Sequence, residues 1–110
     1  MSLDPFTGIY FTIGETTQLL PDFSTETKVT ERIYKIKLVN PFLYAIEMTD
    51  ITDGFTLSFL AYKANNQLYS GSFGDGIDQY IYENGELVNY YSAKQGELVI
   101  NGRYVLSRQY

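Results

Sequence analysis

Residues that favour tight turns recur along this chain at intervals of roughly ten positions. Asparagine and glycine tolerate positive backbone φ angles, and proline presets the φ angle of a turn, so each cluster can reverse the chain. The clusters lie at Asn40-Pro41, 50–54, Asn65-Asn66, 74–76, Asn84-Gly85 and Gln95-Gly96. Because the chain reverses so often, its segments have to lie back and forth beside one another.

Between the turns lie segments rich in Tyr, Phe, Ile, Val, Leu and Thr, the residue types that favour β-strands. The predicted strands are 9–13, 28–39, 42–49, 55–63, 67–73, 77–83, 86–92 and 97–107. A meander of this length covers its edges by closing into a barrel or folding into a sandwich. We predict an all-β fold, an antiparallel up-and-down meander of about eight strands closing into a small barrel, with a β-sandwich as the alternative.

The segment 55–66 leaves a second fold class open. Asp53 could cap a short helix there, with Phe55, Phe59 and Tyr62 on one face, and the fold would then be α+β. The alternation of apolar and hydroxyl side chains along the same segment favours a strand. We therefore predict a strand and keep the helix as the alternative.

The N-terminal part of the chain contains two segments that we predict to lie outside the sheet. Residues 1–7 resemble the leader that a directional cloning vector adds, so we expect one β-barrel domain over 8–110. The segment 14–27 carries Pro21 among Thr, Ser and Asp residues. It is predicted to be a long loop or a short helical turn over one end of the domain, of the kind that often covers a cavity.

The composition limits the partners of such a domain. A length of 110 residues is enough for one hydrophobic core. A net charge of -5 disfavours nucleic acid and anionic membranes, which need clustered Lys and Arg. No apolar run is long enough to cross a bilayer. The absence of Cys is compatible with the cytoplasm, where we expect this acidic, soluble protein to be.

The chain has no His and no Cys, which removes the common nucleophilic triads and the usual zinc ligands. We predict that it is not an enzyme and has neither a metal site nor a cofactor. Paired carboxylates remain as the alternative chemistry. The candidates are Glu47, Asp50, Asp53, Asp75, Asp78, Glu83 and Glu86. We interpret the aspartates of 50–54 and 75–78 as stabilising turns rather than binding calcium, because the spacing of an EF-hand is missing.

Both ends of the chain resemble the calycin superfamily of lipocalin-like barrels. Gly8-Ile9-Tyr10 opens the first predicted strand, and Gly102-Arg103-Tyr104-Val105-Leu106-Ser107-Arg108 closes the last. The family begins with a Gly-x-Trp turn whose ring is covered by an Arg of the final strand. Here Tyr10 replaces the Trp, and either Arg103 or Arg108 could cover it. The resemblance implies a central cavity for one small apolar or amphipathic ligand and no catalytic machinery.

The leading functional hypothesis is a non-enzymatic domain that binds a small ligand inside the barrel. Arg32 and Arg103 could point inward to hold an anionic group or could lie on the surface. We predict Arg103 as the anion anchor. The predicted ligand-binding residues are Phe55, Leu57, Phe59, Tyr80, Tyr82, Arg103 and Tyr104.

Tyrosines on consecutive predicted strands support an alternative function. They could form a belt on one face that serves an interface or a ligand wall, or they could pack across strands in the core. The residues are Tyr62, Tyr69, Tyr80, Tyr82, Tyr90, Tyr91 and Tyr104. Small barrels have room for little besides side chains. The alternative is therefore a structural or protein-interaction domain with a filled core that acts as a homo-oligomer.

Overall fold

The structure, a computed structural model, describes residues 5–71, 77–95 and 98–109, and these ranges contain β-strands and no helix. The strands are β1 (Gly8–Leu19), β2 (Thr25–Asn40), β3 (Leu43–Asp50), β4 (Phe55–Ala64), β5 (Gln67–Gly71), β6 (Ile77–Glu83), β7 (Glu86–Gln95) and β8 (Leu98–Arg108). Each strand pairs antiparallel with the next, and β8 pairs with β1 to close a barrel. The predicted all-β meander barrel is confirmed, and the helical alternative for 55–66 is wrong. The described ranges therefore hold no helix that could span a membrane.

Two tight hairpins follow from the turn residues that predicted them. Asn84 and Gly85 have φ angles of 51° and 80°, as the two-residue type I′ loop between β6 and β7 requires. Asn65 and Asn66, at 52° and 60°, do the same between β4 and β5. The predicted turn at 74–76 lies outside the described residues, as does Gly96 of the turn predicted at 95–96.

The prediction of a loop over 14–27 is wrong, because most of this segment belongs to a long hairpin. β1 continues to Leu19 and β2 starts at Thr25, and these two residues are paired. Only the short connection around Pro21 leaves the sheet, and there the Leu20 amide donates to the Ser24 carbonyl at 2.9 Å. The polar residues of the segment include several threonines, whose β-branched side chains favour strands. Their polarity reflects exposure to solvent and not loop structure.

Alternate residues of each strand point into the barrel. In β3 the side chains of Tyr44, Ile46, Met48 and Asp50 are buried, and the residues between them are more exposed. This is the two-residue period of a pleated strand with one face inside. The interior face of the closed sheet therefore carries both the apolar core and a set of polar side chains.

Phe6 closes the end of the barrel at which the N-terminus enters. Its side chain is fully buried, and its ring centroid lies 5.6 Å from the ring centroids of both Tyr44 and Tyr82. The Tyr10 hydroxyl donates to the Phe6 carbonyl at 2.8 Å, and the Tyr82 hydroxyl bonds to the Pro5 carbonyl. The expectation that the domain starts at residue 8 therefore missed a residue that seals the core. The origin of residues 1–7 stays a prediction, and residues 1–4 lie outside the described ranges.

At the same end, Arg108 covers Tyr10. The Arg108 guanidinium carbon lies 5.3 Å from the Tyr10 ring centroid, and Nη2 donates to the Tyr10 hydroxyl at 2.6 Å. The same nitrogen donates to the Pro5 carbonyl at 2.7 Å. Of the two arginines considered for this contact, Arg108 makes it and Arg103 does not.

Replacing Phe6 by Ala should lower the free energy of unfolding by about 3 kcal/mol, because a fully buried ring leaves a cavity behind. The matched control is Phe42→Ala, since Phe42 is 71% exposed and its loss should change stability by less than about 0.5 kcal/mol. Urea denaturation of both variants measures the difference. Equal small effects would contradict the assigned role of Phe6.

Candidate functional site

A cavity of about 250 Å³ occupies the barrel at the end opposite to Phe6. One wall is apolar and consists of Met48 on β3 and Phe55, Leu57 and Phe59 on β4, and Ile100 on β8 adds an apolar side chain elsewhere in the lining. The remaining lining is mostly polar and includes Arg32, Tyr34, Ser70, Asp78, Tyr80 and Asn89. Phe55 begins β4, and the connection from β3 enters there, so this wall reaches the mouth of the barrel. The cavity is amphipathic and slightly smaller than the ~300 Å³ at which drug-sized pockets begin.

Arg32 forms one side of the polar lining. Its Nε lies 3.2 Å from Oδ2 of Asp50, the residue directly opposite on β3. Its Nη1 donates to the Tyr34 hydroxyl at 3.2 Å, and its guanidinium carbon lies 4.2 Å from the Tyr104 ring centroid. A carboxylate, a hydroxyl and an aromatic face thus hold this charge in place.

The Tyr104 ring packs against the guanidinium of Arg32. The position of this ring depends on a glycine in the neighbouring strand. A Cβ atom at Gly14 would overlap the Tyr104 ring and would lie 2.7 Å from the Arg103 carbonyl oxygen. Only glycine allows this close approach. The Tyr104 hydroxyl bonds to the Thr16 hydroxyl and lies 3.0 Å from that of Thr30.

Asp78 forms the other side of the polar lining. Nδ2 of Asn89 donates to its Oδ1 at 2.6 Å, and the Tyr80 hydroxyl donates to its Oδ2 at 3.2 Å. Asn89 also links the two sides, because its Oδ1 accepts the Tyr34 hydroxyl proton at 2.8 Å. A chain of hydrogen bonds therefore runs across the barrel from Arg32 to Asp78.

Burial changes the ionisation of this cluster. It raises the pKa of the Asp78 carboxyl to about 6 from an ordinary value of 3.8, against the hydrogen bonds from Asn89 and Tyr80 and the charge of Arg32. Burial also raises the pKa values of Tyr34 and Tyr80, so both hydroxyls stay protonated. Asp78 carries a negative charge at neutral pH although it is only 8% exposed.

The structure places four of the predicted ligand-binding residues together: Phe55, Leu57, Phe59 and Tyr80 all line the cavity. Tyr104 lies beside the cavity, where its ring contacts the Arg32 guanidinium. Tyr82 is outside the lining, two residues further along β6, where its ring packs on Phe6.

Arg103 does not reach the cavity. Its guanidinium carbon lies 5.8 Å from the Tyr90 ring centroid, in a broad depression on the outer surface. Neighbouring residues of a strand face opposite sides, so Arg103 and Tyr104 cannot both point inward. Placing both residues in one cavity was therefore inconsistent with the predicted strand itself.

The belt of tyrosines on one face is also wrong. Tyr80, Tyr91 and Tyr104 face the interior, whereas the Tyr90 hydroxyl donates to Glu83 outside it. Tyr62 is 63% exposed on the outer face of β4. The tyrosines therefore serve two different surfaces.

The candidate carboxylates separate in the same way. Asp50 and Asp78 are buried, while Glu47, Asp53 and Glu86 are exposed; Asp75 lies outside the described residues. Asp50 stabilises a turn as interpreted, accepting a hydrogen bond from the Asp53 amide at 2.8 Å. Asp78 lies within β6, so its interpretation as a turn residue is wrong. Within the described ranges no three ligating side chains are grouped closely enough to hold a metal ion.

Sequence reasoning missed Tyr34 and Asp78 as lining residues. The two-residue period within the predicted strands was the available signal, because Asp78 shares the face of Tyr80 and Tyr34 shares the face of Arg32. The closure of the barrel, which brings β2 near β7, was not visible in either strand alone.

The sequence matches no known protein-family model and no curated protein. The fold and the site define the class: an antiparallel, eight-stranded, closed β-barrel with an amphipathic internal cavity. This architecture is compatible with a calycin-like fold.

The raised pKa of Asp78 predicts a specific pH dependence of stability. The pKa of Asp78 in the folded protein lies above 3.8, so the folded state favours the protonated carboxyl. The resulting contribution to the free energy of unfolding is fully present at low pH and is lost as pH rises through about 6. In Asp78→Asn this loss is absent, so its stability relative to wild type should rise by about 2 kcal/mol between about pH 4.5 and about pH 8.

Urea denaturation of both proteins across this pH range measures the difference. Glu47→Gln is the charge-matched control, because Glu47 is exposed on the outer face of β3, and its stability should follow that of wild type. A pH-independent difference between Asp78→Asn and wild type would show that Asp78 has an ordinary pKa.

Proposed function

We propose that this protein binds a small amphipathic ligand inside its barrel without catalysing a reaction on it. The observation that carries the proposal is the division of the cavity into an apolar wall on β4 and a hydrogen-bonded polar cluster opposite. Ligand pockets combine apolar lining with a few fixed polar groups in this way. An apolar chain would lie against Leu57 and Phe59, and a polar head would meet the cluster.

The contrast between the two halves of the barrel favours a cavity over a filled core. At the Phe6 end the inward residues Tyr44, Ile46 and Leu68 are fully buried and packed together. At the other end the inward-facing Phe55 is 39% exposed. A filled core would leave no space of about 250 Å³ beside Phe55.

We also propose that the fold belongs to the calycin superfamily. The contact of Arg108 with Tyr10 supports this, because it joins the end of β8 to the start of β1 as the family's Arg and Trp do. The order of the strands and the closure between β1 and β8 are a further similarity. The ligand proposal rests on the cavity and does not depend on this assignment.

Octanol is a suitable neutral amphipathic probe. It should raise the unfolding temperature of the wild-type protein, because a ligand that binds only the folded state stabilises it by about 1.4 kcal/mol at roughly ten times its Kd. Leu57→Trp should abolish this effect by filling the cavity. Leu60→Trp is the matched control, since Leu60 faces outward on the same strand and is 51% exposed, and it should respond like wild type.

Two outcomes would contradict the proposal. Octanol could leave the unfolding temperature of every protein unchanged, or both tryptophan variants could respond equally. A filled-core homo-oligomer predicts the first outcome together with an unfolding temperature that rises with protein concentration. Sedimentation of the ligand-free wild-type protein would then give a dimer or larger mass.

A further inference from the structure

The charges inside the barrel do not cancel. The positive charge of Arg32 is paired with the Asp50 carboxylate at 3.2 Å. The Asp78 carboxylate then remains as a second negative charge in the cavity lining. When Asp78 is ionised, these three interior groups carry one net negative charge.

Among the described residues, Asp78 receives hydrogen bonds only from neutral groups. Its donors are the Asn89 amide and the Tyr80 hydroxyl, and within the described residues no Lys or Arg nitrogen lies within 4.0 Å of it. The segments outside the described ranges contain no Lys and no Arg. Within the described residues no cation therefore pairs directly with this carboxylate, and Arg32 acts on it only from a greater distance, lowering its pKa.

A buried carboxylate without a cation destabilises the folded protein, because removing its charge from water is unfavourable. Groups of this kind, perturbed by burial and placed at a cavity, are candidates for functional sites. An uncharged side chain such as Asn would fill the same volume without that disadvantage. A ligand that supplies the missing positive charge would account for the aspartate.

The position of Arg32 argues against an anionic ligand. Its guanidinium already contacts the Asp50 carboxylate, the Tyr34 hydroxyl and the Tyr104 ring. A ligand carboxylate would have to share this guanidinium with Asp50 and would be repelled by the carboxylates of both Asp50 and Asp78. The anion anchor predicted from sequence, Arg103, lies on the outer surface.

We propose that the cavity takes a cationic amphiphile, a small alkyl or arylalkyl amine whose ammonium group pairs with the Asp78 carboxylate while its apolar chain lies against Leu57 and Phe59. This inference rests on the proposed binding function and specifies its ligand class. The ammonium group would donate hydrogen bonds to Asp78 beside the rings of Tyr80 and Tyr91, whose faces also attract cations.

Three eight-carbon probes distinguish a cationic, a neutral and an anionic ligand: octylamine, octanol and octanoate. Calorimetric titration of the wild-type protein near neutral pH should give the tightest binding for octylamine, about 10-fold tighter than octanol, and the weakest for octanoate. Octanoate as the tightest ligand, or equal binding of octylamine and octanol, would overturn the inference while leaving the binding function intact. Binding of none of the three would overturn the binding function and this inference with it.

Two variants test whether Asp78 is the carboxylate that pairs with the ammonium group. Asp78→Asn should weaken octylamine binding by about 10-fold, to the level of octanol, and should leave octanol binding unchanged. Glu47→Gln removes the same charge from the outer face and should leave binding of all three probes as in wild type. A similar loss of octylamine binding in both variants would mean that only the net charge of the protein matters, which would overturn the proposal.

A pH series on the wild-type protein tests the same pairing and does not depend on the folding of any variant. The titratable groups that line the cavity with Asp78 are Arg32 and Tyr34 on β2, Tyr80 on β6 and Tyr91 on β7. Asp50 on β3 and Tyr104 on β8 contact Arg32. Because the pKa of Asp78 is about 6, its carboxyl is mostly protonated at pH 5. The affinity of octylamine relative to octanol should therefore fall about 10-fold between about pH 7.5 and about pH 5. A ratio that stays constant with pH would contradict the pairing with Asp78.

Discussion

The antiparallel pairing of β1 with β8 is the constraint on which the rest of this structure depends. It converts a meander with two free edges into a closed sheet, so alternate residues of all eight strands share one interior. Side chains far apart in sequence meet there: the Tyr34 hydroxyl donates to Asn89 at 2.8 Å. Without closure, Arg32 on β2 and Asp78 on β6 would not belong to the same cluster.

The enclosed interior is divided between stability and function. At the end closed by Phe6, aromatic rings pack at 5.6 Å between centroids and the core is solid. At the other end the barrel keeps an open cavity and a buried carboxylate, both of which are unfavourable for folding. We expect the packed end to provide the stability that allows the open end to hold these groups, as is common where a site is built on a rigid scaffold.

Turn chemistry accounts for the part of the fold that could be predicted. Asn84-Gly85 defines a two-residue hairpin, and its register alone places Tyr80 opposite Asn89. The segment 14–27 and Phe6 escaped prediction, because polar composition does not reveal strand pairing and a vector-like leader does not reveal packing in the core. Strand alternation could have excluded Arg103 once Tyr104 was placed inside. The contact between Arg32 and Tyr104 depends on barrel closure, which no local pattern encodes.

The central claim is that Asp78 is an ionisable group enclosed within the barrel. Carbon-13 NMR titration of the aspartate carboxyl groups, with the Asp78 signal assigned by its loss in Asp78→Asn, tests the claim directly. The account predicts a titration midpoint near pH 6, since burial raises the pKa of this carboxyl to about 6. A midpoint near the ordinary value of 3.8 would show that burial does not raise the pKa of Asp78 and would contradict the account.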